Sequence, residues 1–365
     1  MRNQKSRGRK IVACFPLYPP LALFHAMGLV PVVPWGLRAH VSGTQTADGH
    51  LPPYTCSVAR HMTEFLLGEA RDLIDGFFMY NACDTLRNLP EILIDEMAAA
   101  RRDVPFFHMH LPMTGRDQTD PSGYFKNEIS ALVTTLSDHF GIVFSPERFM
   151  ASVDLYGQMR RLALEAGKRV AAGSLKFSDF AKVMQAGAFM PVEDHINALT
   201  ALTAAGEAPP APALPAGPGV GVLISGILPP PASVTASLES AGLRIVADDM
   251  ASLYRSYAVM PDADPDPATY YRAFYDGHYP CPTLLYTADQ RVDALVERAV
   301  RKNARGVVFI GEKFCEYEYF EFPFLRKKLA EKGIYTLEIE ISIEDGLHTG
   351  VHDSRIAAFA EMIRQ

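Results

Sequence analysis

The sequence is sparing with cysteine: five in 365 residues, an odd number, widely scattered. A chain of this size needs no disulfide staples, so a disulfide-framed secreted scaffold is excluded; core thiols, catalytic thiols and metal ligands remain. For any one of the five taken alone, a buried small hydrophobe is the ordinary alternative. A basic surplus is also missing. Lys+Arg 35 against Asp+Glu 42 leaves a net charge of -7, which argues against nucleic acid or an anionic membrane surface as the main partner. No uninterrupted apolar run reaches the ~18 residues that span a bilayer. The start, MRNQKSRGRK, is a short basic tail, and the apolar run IVACFPLYPPLALF after it is broken by three prolines, so it makes no signal-peptide core. A cytoplasmic protein is expected. Neither GxGxxG, a P-loop nor GxSxG occurs, so the chain is not expected to hydrolyse ATP or run a serine triad itself.

What is present is the composition of an ordinary globular protein, 48% hydrophobic and 21% charged, long enough for two domains. The strand KIVACF leads to a helix around LALFHAMG and a second strand, LVPVVPW, with Gly28 where a helix end takes a left-handed residue. After Cys56, Val58, Met62, Phe65 and Leu66 share a helical face. The strand DGFFMYN then ends at Cys83; a helix with Leu86, Leu89, Leu93 and Met97 follows, and then the strand VPFFHMHLP. Alternation at this spacing predicts a parallel sheet with helices on both faces over residues 1–123. Residues 124–207 read as wholly helical, with Ser145-Pro146 as N-cap and first helical position of a long helix. EAPPAPALPAGPG reads as a stiff linker, residues 208–218. A second α/β unit, residues 219–365, begins with GVGVLISG and LRIVAD. Its stretch from Met250 to Pro282 reads as less regular. It continues through an amphipathic helix with Val292, Leu295, Val296 and Ala299, the strand GVVFIG ending before Cys315, the strand IYTLEIE, and a last helix with Ile356, Phe359, Ala360 and Ile363. The expected fold is therefore α/β: two doubly wound, Rossmann-like lobes with parallel sheets and an intervening helical segment.

Cys83 and Cys315 occupy equivalent places, each after a predicted buried strand and before a helix. Ligands of open α/β sheets bind outside the carboxyl ends of strands, and a thiolate at a helix start is favoured by the helix dipole. Cys56, at the start of another helix, gains in the same way. Two facing lobes can bring Cys56 and Cys83 against Cys315, and three thiolates without histidines at finger-like spacing suit an iron–sulfur cluster better than structural zinc. Of the rest, Cys14 lies inside the first strand and Cys281 between Pro280 and Pro282; both are kept as possible near-cluster residues. His108 and His110 share a strand face, but no third ligand is indicated. Asp248-Asp249 suits either a cleft ligand or a solvated turn, and Arg87 and Arg291 suit either a partner's acids or surface salt bridges.

In several segments the chain resembles the D-component family of 2-hydroxyacyl-CoA dehydratases, which includes the benzoyl-CoA reductase cluster subunits. The segments are FPLYPPLALFHAMGLVPV, the two-cysteine stretch LPPYTCSVARHMTEFLLGEARDLIDGFFMYNACDTLRNL, DDMASLYRSY, YPCP, ARGVVFIGEKFCEYEYFE and HDSRIAAFAEM, in family order over nearly the whole chain. The resemblance implies a [4Fe–4S] cluster on Cys56, Cys83 and Cys315, a related larger cluster subunit as partner, a separate ATP-dependent activator that injects one electron, and an acyl-CoA substrate. In the dehydratases it implies a ketyl-radical dehydration; in the reductases, electron delivery into an aromatic ring. The length fits the smaller subunit, which relays the electron. Many relatives carry an acidic residue after the first-loop proline, whereas here Tyr18-Pro19 is followed by Pro20 and Leu21, which favours the relay role. A double cubane needs six cysteines, and Met250 stands where relatives can carry another. Three roles are thus weighed: a dehydratase subunit, the equivalent subunit of a benzoyl-CoA-type reductase, and a stand-alone iron–sulfur electron carrier. A zinc-bearing or metal-free scaffold is the remaining alternative.

Overall fold

The structure, a computed structural model, describes residues 1–37, 40–112, 123–205, 219–342 and 350–365. The proline-rich segment read as a linker lies outside the described residues.

Two parallel sheets organise the chain. The first is built from β1 (Ile11–Phe15), β2 (Val30–Val32), β3 (Gly76–Tyr80) and β4 (Phe106–Met109), in the order β2-β1-β3-β4. The second, from β5 (Val220–Gly226), β6 (Leu243–Met250), β7 (Gly306–Glu312) and β8 (Tyr335–Ile341), has the order β6-β5-β7-β8. The strand orders match one to one, so the lobes are topological copies of one another. β1, β3 and β7 are buried along their whole lengths. This is the pattern of parallel strands covered by helices on both faces, and it explains their continuous apolar runs. In each sheet the chain reverses direction of travel between the first-formed strand and the third, and that switch point is where such folds open a crevice. At the second, Gly226 (φ 155°) ends β5 against β7; a Cβ there would lie 2.3 Å from the Ile310 carbonyl oxygen, so only glycine fits.

The helical reading of the middle segment holds. Helices span Tyr124–Phe140, Pro146–Ala172, Phe177–Gly187 and Val192–Ala205. Ser145 caps the long helix, accepting from the Arg148 N–H at 3.2 Å, with Pro146 in the first turn. That helix packs on both the helix Leu21–Ala26 and β6, and so ties the lobes together. Direct bonds add to this. The Tyr18 hydroxyl donates to the Ala251 carbonyl (3.0 Å), Tyr275 donates to the Tyr18 carbonyl (2.8 Å), and the Leu23 N–H donates to the Tyr271 hydroxyl (3.2 Å). One hydrophobic core runs through both lobes, with a smaller one under β7 around Leu223, Leu295, Val307 and Leu329.

Three expectations need correction. The helix after Cys83 is in two pieces, Asp84–Arg87 and Leu89–Ala99, because Pro90 in the first turn of the second forces a new start. The stretch from Met250 to Pro282, read as less regular, contains the helices Tyr254–Tyr257 and Pro267–Asp276. The basic N-terminal tail likewise forms a short helix, Arg2–Ser6.

Candidate functional site

Cys56, Cys83 and Cys315 each stand immediately before a helix, as the residues preceding Ser57–Leu67, Asp84–Arg87 and Glu316–Tyr319. β3 and β7 hold the same place in their sheets, so Cys83 and Cys315 leave equivalent strand ends. Ser57–Leu67 is fixed by its apolar stripe, with Val58, Met62, Phe65 and Leu66 all buried. The three cysteines line one cavity of about 360 Å³, together with His50, Leu51, Tyr54, Asn88, Phe314 and Tyr317 among others. Cys14 and Cys281 do not line it. Cys14 is buried in β1, its Sγ 3.5 Å from the Val12 carbonyl oxygen. Cys281 is buried beside the Tyr18 hydroxyl (3.1 Å), Arg255 Nη1 (3.3 Å) and Thr283 Oγ1 (3.2 Å). A double cubane on all five cysteines therefore has no support in this geometry.

Burial pushes the Cys56 thiol up to about 12; the backbone N–H groups of Ala59 and Val58 oppose the rise and neighbouring Cys83 adds to it. Cys83 is raised by burial against the N–H groups of Leu86 and Thr85. Cys315 is raised as well, by burial first, then by Glu318 and Cys56. No lysine or arginine is among the described residues lining the cavity. Three thiolates can therefore coexist here only around a positive guest. The donor set also says what kind. Among the described residues no group of three or more His, Cys, Asp or Glu side chains converges tightly enough to hold a metal ion. The three thiols do line one chamber, and soft thiolate donors, which a cubane takes on separate irons, are of the kind an iron–sulfur cluster uses.

Behind the thiols lies a buried polar layer that the sequence did not disclose. The Ser57 hydroxyl donates across the lobes to Glu312, and the Glu312 N–H donates to Glu318 Oε2 (3.3 Å). Burial pushes the Glu318 carboxyl up to about 8, with Arg255 pulling the other way. Beyond it, Asp249 pairs with both Arg255 (2.9 Å) and Arg291, and the Ser225 hydroxyl donates to it at 2.8 Å. Arg291 also approaches Glu321 at 3.5 Å. Asp249 thus sits in no solvated turn and Arg291 on no surface, because each neutralises the other inside the fold. Asp248 is buried as well, accepting from the Tyr254 N–H at 3.0 Å. Sequence reasoning singled out Asp248-Asp249 and Arg291 without pairing them, and it missed Glu312 and Glu318, which stand in the acidic run EKFCEYEYFE around Cys315.

The other candidates are not brought to the cavity. Arg87 makes an exposed pair with Asp84 (2.9 Å). His108 stacks on Phe106 with ring centroids 4.6 Å apart, and the His110 N–H donates to Glu128 (2.6 Å).

Comparison with known proteins places this geometry in a family. The chain is 24% identical over 347 residues to the (R)-phenyllactyl-CoA dehydratase beta subunit of Clostridium sporogenes, covering 94% of this chain and 89% of that one. It is 25% identical over 365 residues to a benzoyl-CoA reductase subunit of Thauera aromatica, covering 98% and 91%. It is also 25% identical over 374 residues to the (R)-2-hydroxyglutaryl-CoA dehydratase beta subunit of Acidaminococcus fermentans, covering 100% and 95%. The family model described as 2-hydroxyglutaryl-CoA dehydratase, D-component, matches residues 16–363, and the chain belongs to that family.

Proposed function

We propose that the chain is the smaller, electron-relaying subunit of a 2-hydroxyacyl-CoA dehydratase, with Cys56, Cys83 and Cys315 holding a [4Fe–4S] cluster. The observation that carries this reading is the convergence of three thiols, from two lobes, on one chamber that lacks any other cation among its described lining residues. Bound there, the cluster supplies a one-electron carrier with one iron free of protein thiolate. The chain's own residues do the rest. The N–H groups at the three helix starts face the sulfurs and stabilise negative charge on them. Leu51, Leu89 and Ile92 narrow the access of water. Tyr54 and Phe314, on the cavity wall yet 70% and 44% exposed, present aromatic surface for a larger related partner to cover. The first loop carries no acid to handle a substrate hydroxyl: Tyr18 is tied to Ala251, and Pro20 and Leu21 follow. The substrate thioester then belongs to the partner, and the electron comes from an ATP-dependent activator. Among the described residues no helix is long and apolar enough to cross a membrane.

The relative from Thauera aromatica favours a second reading, in which the same chamber serves a benzoyl-CoA-type ring reductase. The decisive experiment is iron and acid-labile sulfide analysis, with an electronic spectrum, on protein purified without oxygen. About four irons per chain are expected, lost in Cys56→Ala, Cys83→Ala and Cys315→Ala and retained in Cys14→Ala and Cys281→Ala. Well-folded protein without iron would refute the proposal. Loaded protein reconstituted with its partner and activator then separates the two readings by which thioester, hydroxyacyl or aromatic, is turned over.

A further inference from the structure

A second cavity, sharing no lining residue with the three-thiol chamber, opens where the helical segment closes over the carboxyl end of β1. Its volume is about 110 Å³. Four polar side chains on its wall carry a buried atom with no hydrogen-bond partner: Trp35 Nε1, Arg160 Nε, His195 Nε2 and Ser252 Oγ. They come from four different elements: the loop after β2, the helices Pro146–Ala172 and Val192–Ala205, and the turn after β6. Buried polar groups in folded proteins are almost always satisfied, so four orphans around one space mark an absent partner.

The chemistry of that partner can be read from the wall. Arg160 is 7% exposed, donates to the Tyr270 hydroxyl at 3.1 Å and lies over the Phe274 ring, but pairs with no carboxylate among the described residues. A buried guanidinium in that state calls for an anion. His195, 6% exposed, is held neutral by burial, its pKa lowered to about 4, so it adds a hydrogen-bonding nitrogen and no second charge. The indole N–H of Trp35 (7% exposed) is a donor only. The remaining wall is largely apolar, including Leu17, Leu21, Val33, Met159 and Met184. One cation in apolar surroundings suits a monoanion and disfavours a dianion such as phosphate. The space is somewhat smaller than the ~150 Å³ cavity that takes benzene.

We propose that this cavity binds a small organic monoanion, a carboxylate on a short apolar body, through Arg160, Trp35, His195 and Ser252. The proposal is independent of the cluster. Trp35 is the chain's single tryptophan, so emission from the full-length wild type reads occupancy directly. Titration with sodium isobutyrate should give a saturable change in emission that isobutyramide, its uncharged analogue, does not give. Arg160→Gln should weaken it about tenfold or more, as loss of a charge-assisted hydrogen bond does. Ser252→Ala, which leaves the fold's packing nearly intact, should weaken it severalfold. A carboxylate at the end of a larger acyl thioester offers the same group, so succinyl-CoA is titrated beside isobutyrate. Response to both, or to either, upholds the carboxylate site and tells which source reaches it. No saturable change in folded wild type with either ligand, an equal response to the amide, or full affinity in both variants would overturn the proposal and leave ordered water as the partner of the four orphans.

Discussion

Arg291 and Asp249, 42 positions apart, pair with neither side chain exposed to solvent at all. Arg255 shares the same carboxylate. Both guanidinium groups share this aspartate, with Glu321 a more distant second carboxylate for Arg291 (3.5 Å), and Asp249→Asn removes the shared charge while keeping the shape. The expected cost is about 3–5 kcal/mol, the usual penalty for stranding a buried charge. Urea denaturation at neutral pH followed by far-ultraviolet circular dichroism measures it, and a loss under ~1 kcal/mol would mean the charges are compensated elsewhere.

Gly187 is required by His195. A Cβ at position 187 would lie 2.1 Å from the imidazole Cε1. Gly187→Ala should therefore destabilise by about 1–3 kcal/mol through overpacking. The double variant with His195→Ala, which vacates the space, should recover part of that loss. A double-mutant cycle with no coupling between the two sites would contradict the contact.

His195 also gives stability a pH dependence of definite sign. Its pKa falls from 6.5 to about 4 on burial. Between those values the unfolded chain binds the proton and the folded chain does not, so stability drops as the pH falls through that window and is fully present above it. The contribution lost near pH 4 is roughly 3 kcal/mol. The difference in unfolding free energy between wild type and His195→Asn, followed from pH 7 to pH 4.5, should show it. Parallel curves would remove the histidine from the account.

Cluster loading should stabilise the whole chain, because its ligands come from both lobes. Anaerobic protein stripped of iron by a chelator should melt several degrees lower than the loaded form. Cys315→Ala should melt at one temperature with or without the chelator. An unchanged melting point on stripping the wild type would show that the lobes are held without the metal.

The sequence discloses local structure well and long-range pairing poorly. The helix after Cys56 follows from Val58, Met62, Phe65 and Leu66, and all four are buried. The last helix follows in the same way from Ile356, Phe359, Ala360 and Ile363. The helix Pro267–Asp276 was overlooked although its start is written in Asp266-Pro267: the Asp266 side chain accepts from the Ala268 N–H at 3.3 Å. The surrounding run of Asp and Pro reads equally as a loop, and the aromatic stripe Tyr270, Tyr271, Phe274, Tyr275 was the signal that should have decided it. Arg291 is different in kind. Within an amphipathic helix a charged residue reads as surface, and only the tertiary fold delivers Asp249 to it. The second cavity escaped for the same reason, since Trp35, Arg160, His195 and Ser252 look ordinary until four separate elements meet.

The three-thiol chamber has walls from opposite ends of the chain. Cys56 and Cys83 lie in the first sheet's crossovers, whereas Cys315 follows β7, the seventh of eight strands among the described residues. A ribosome thus makes two of the three thiols early and the third only after β4, β5, β6 and β7 have followed them. No nascent or truncated chain that stops before Cys315 can close the chamber, so whatever fills it must arrive after both sheets' central strands have been made.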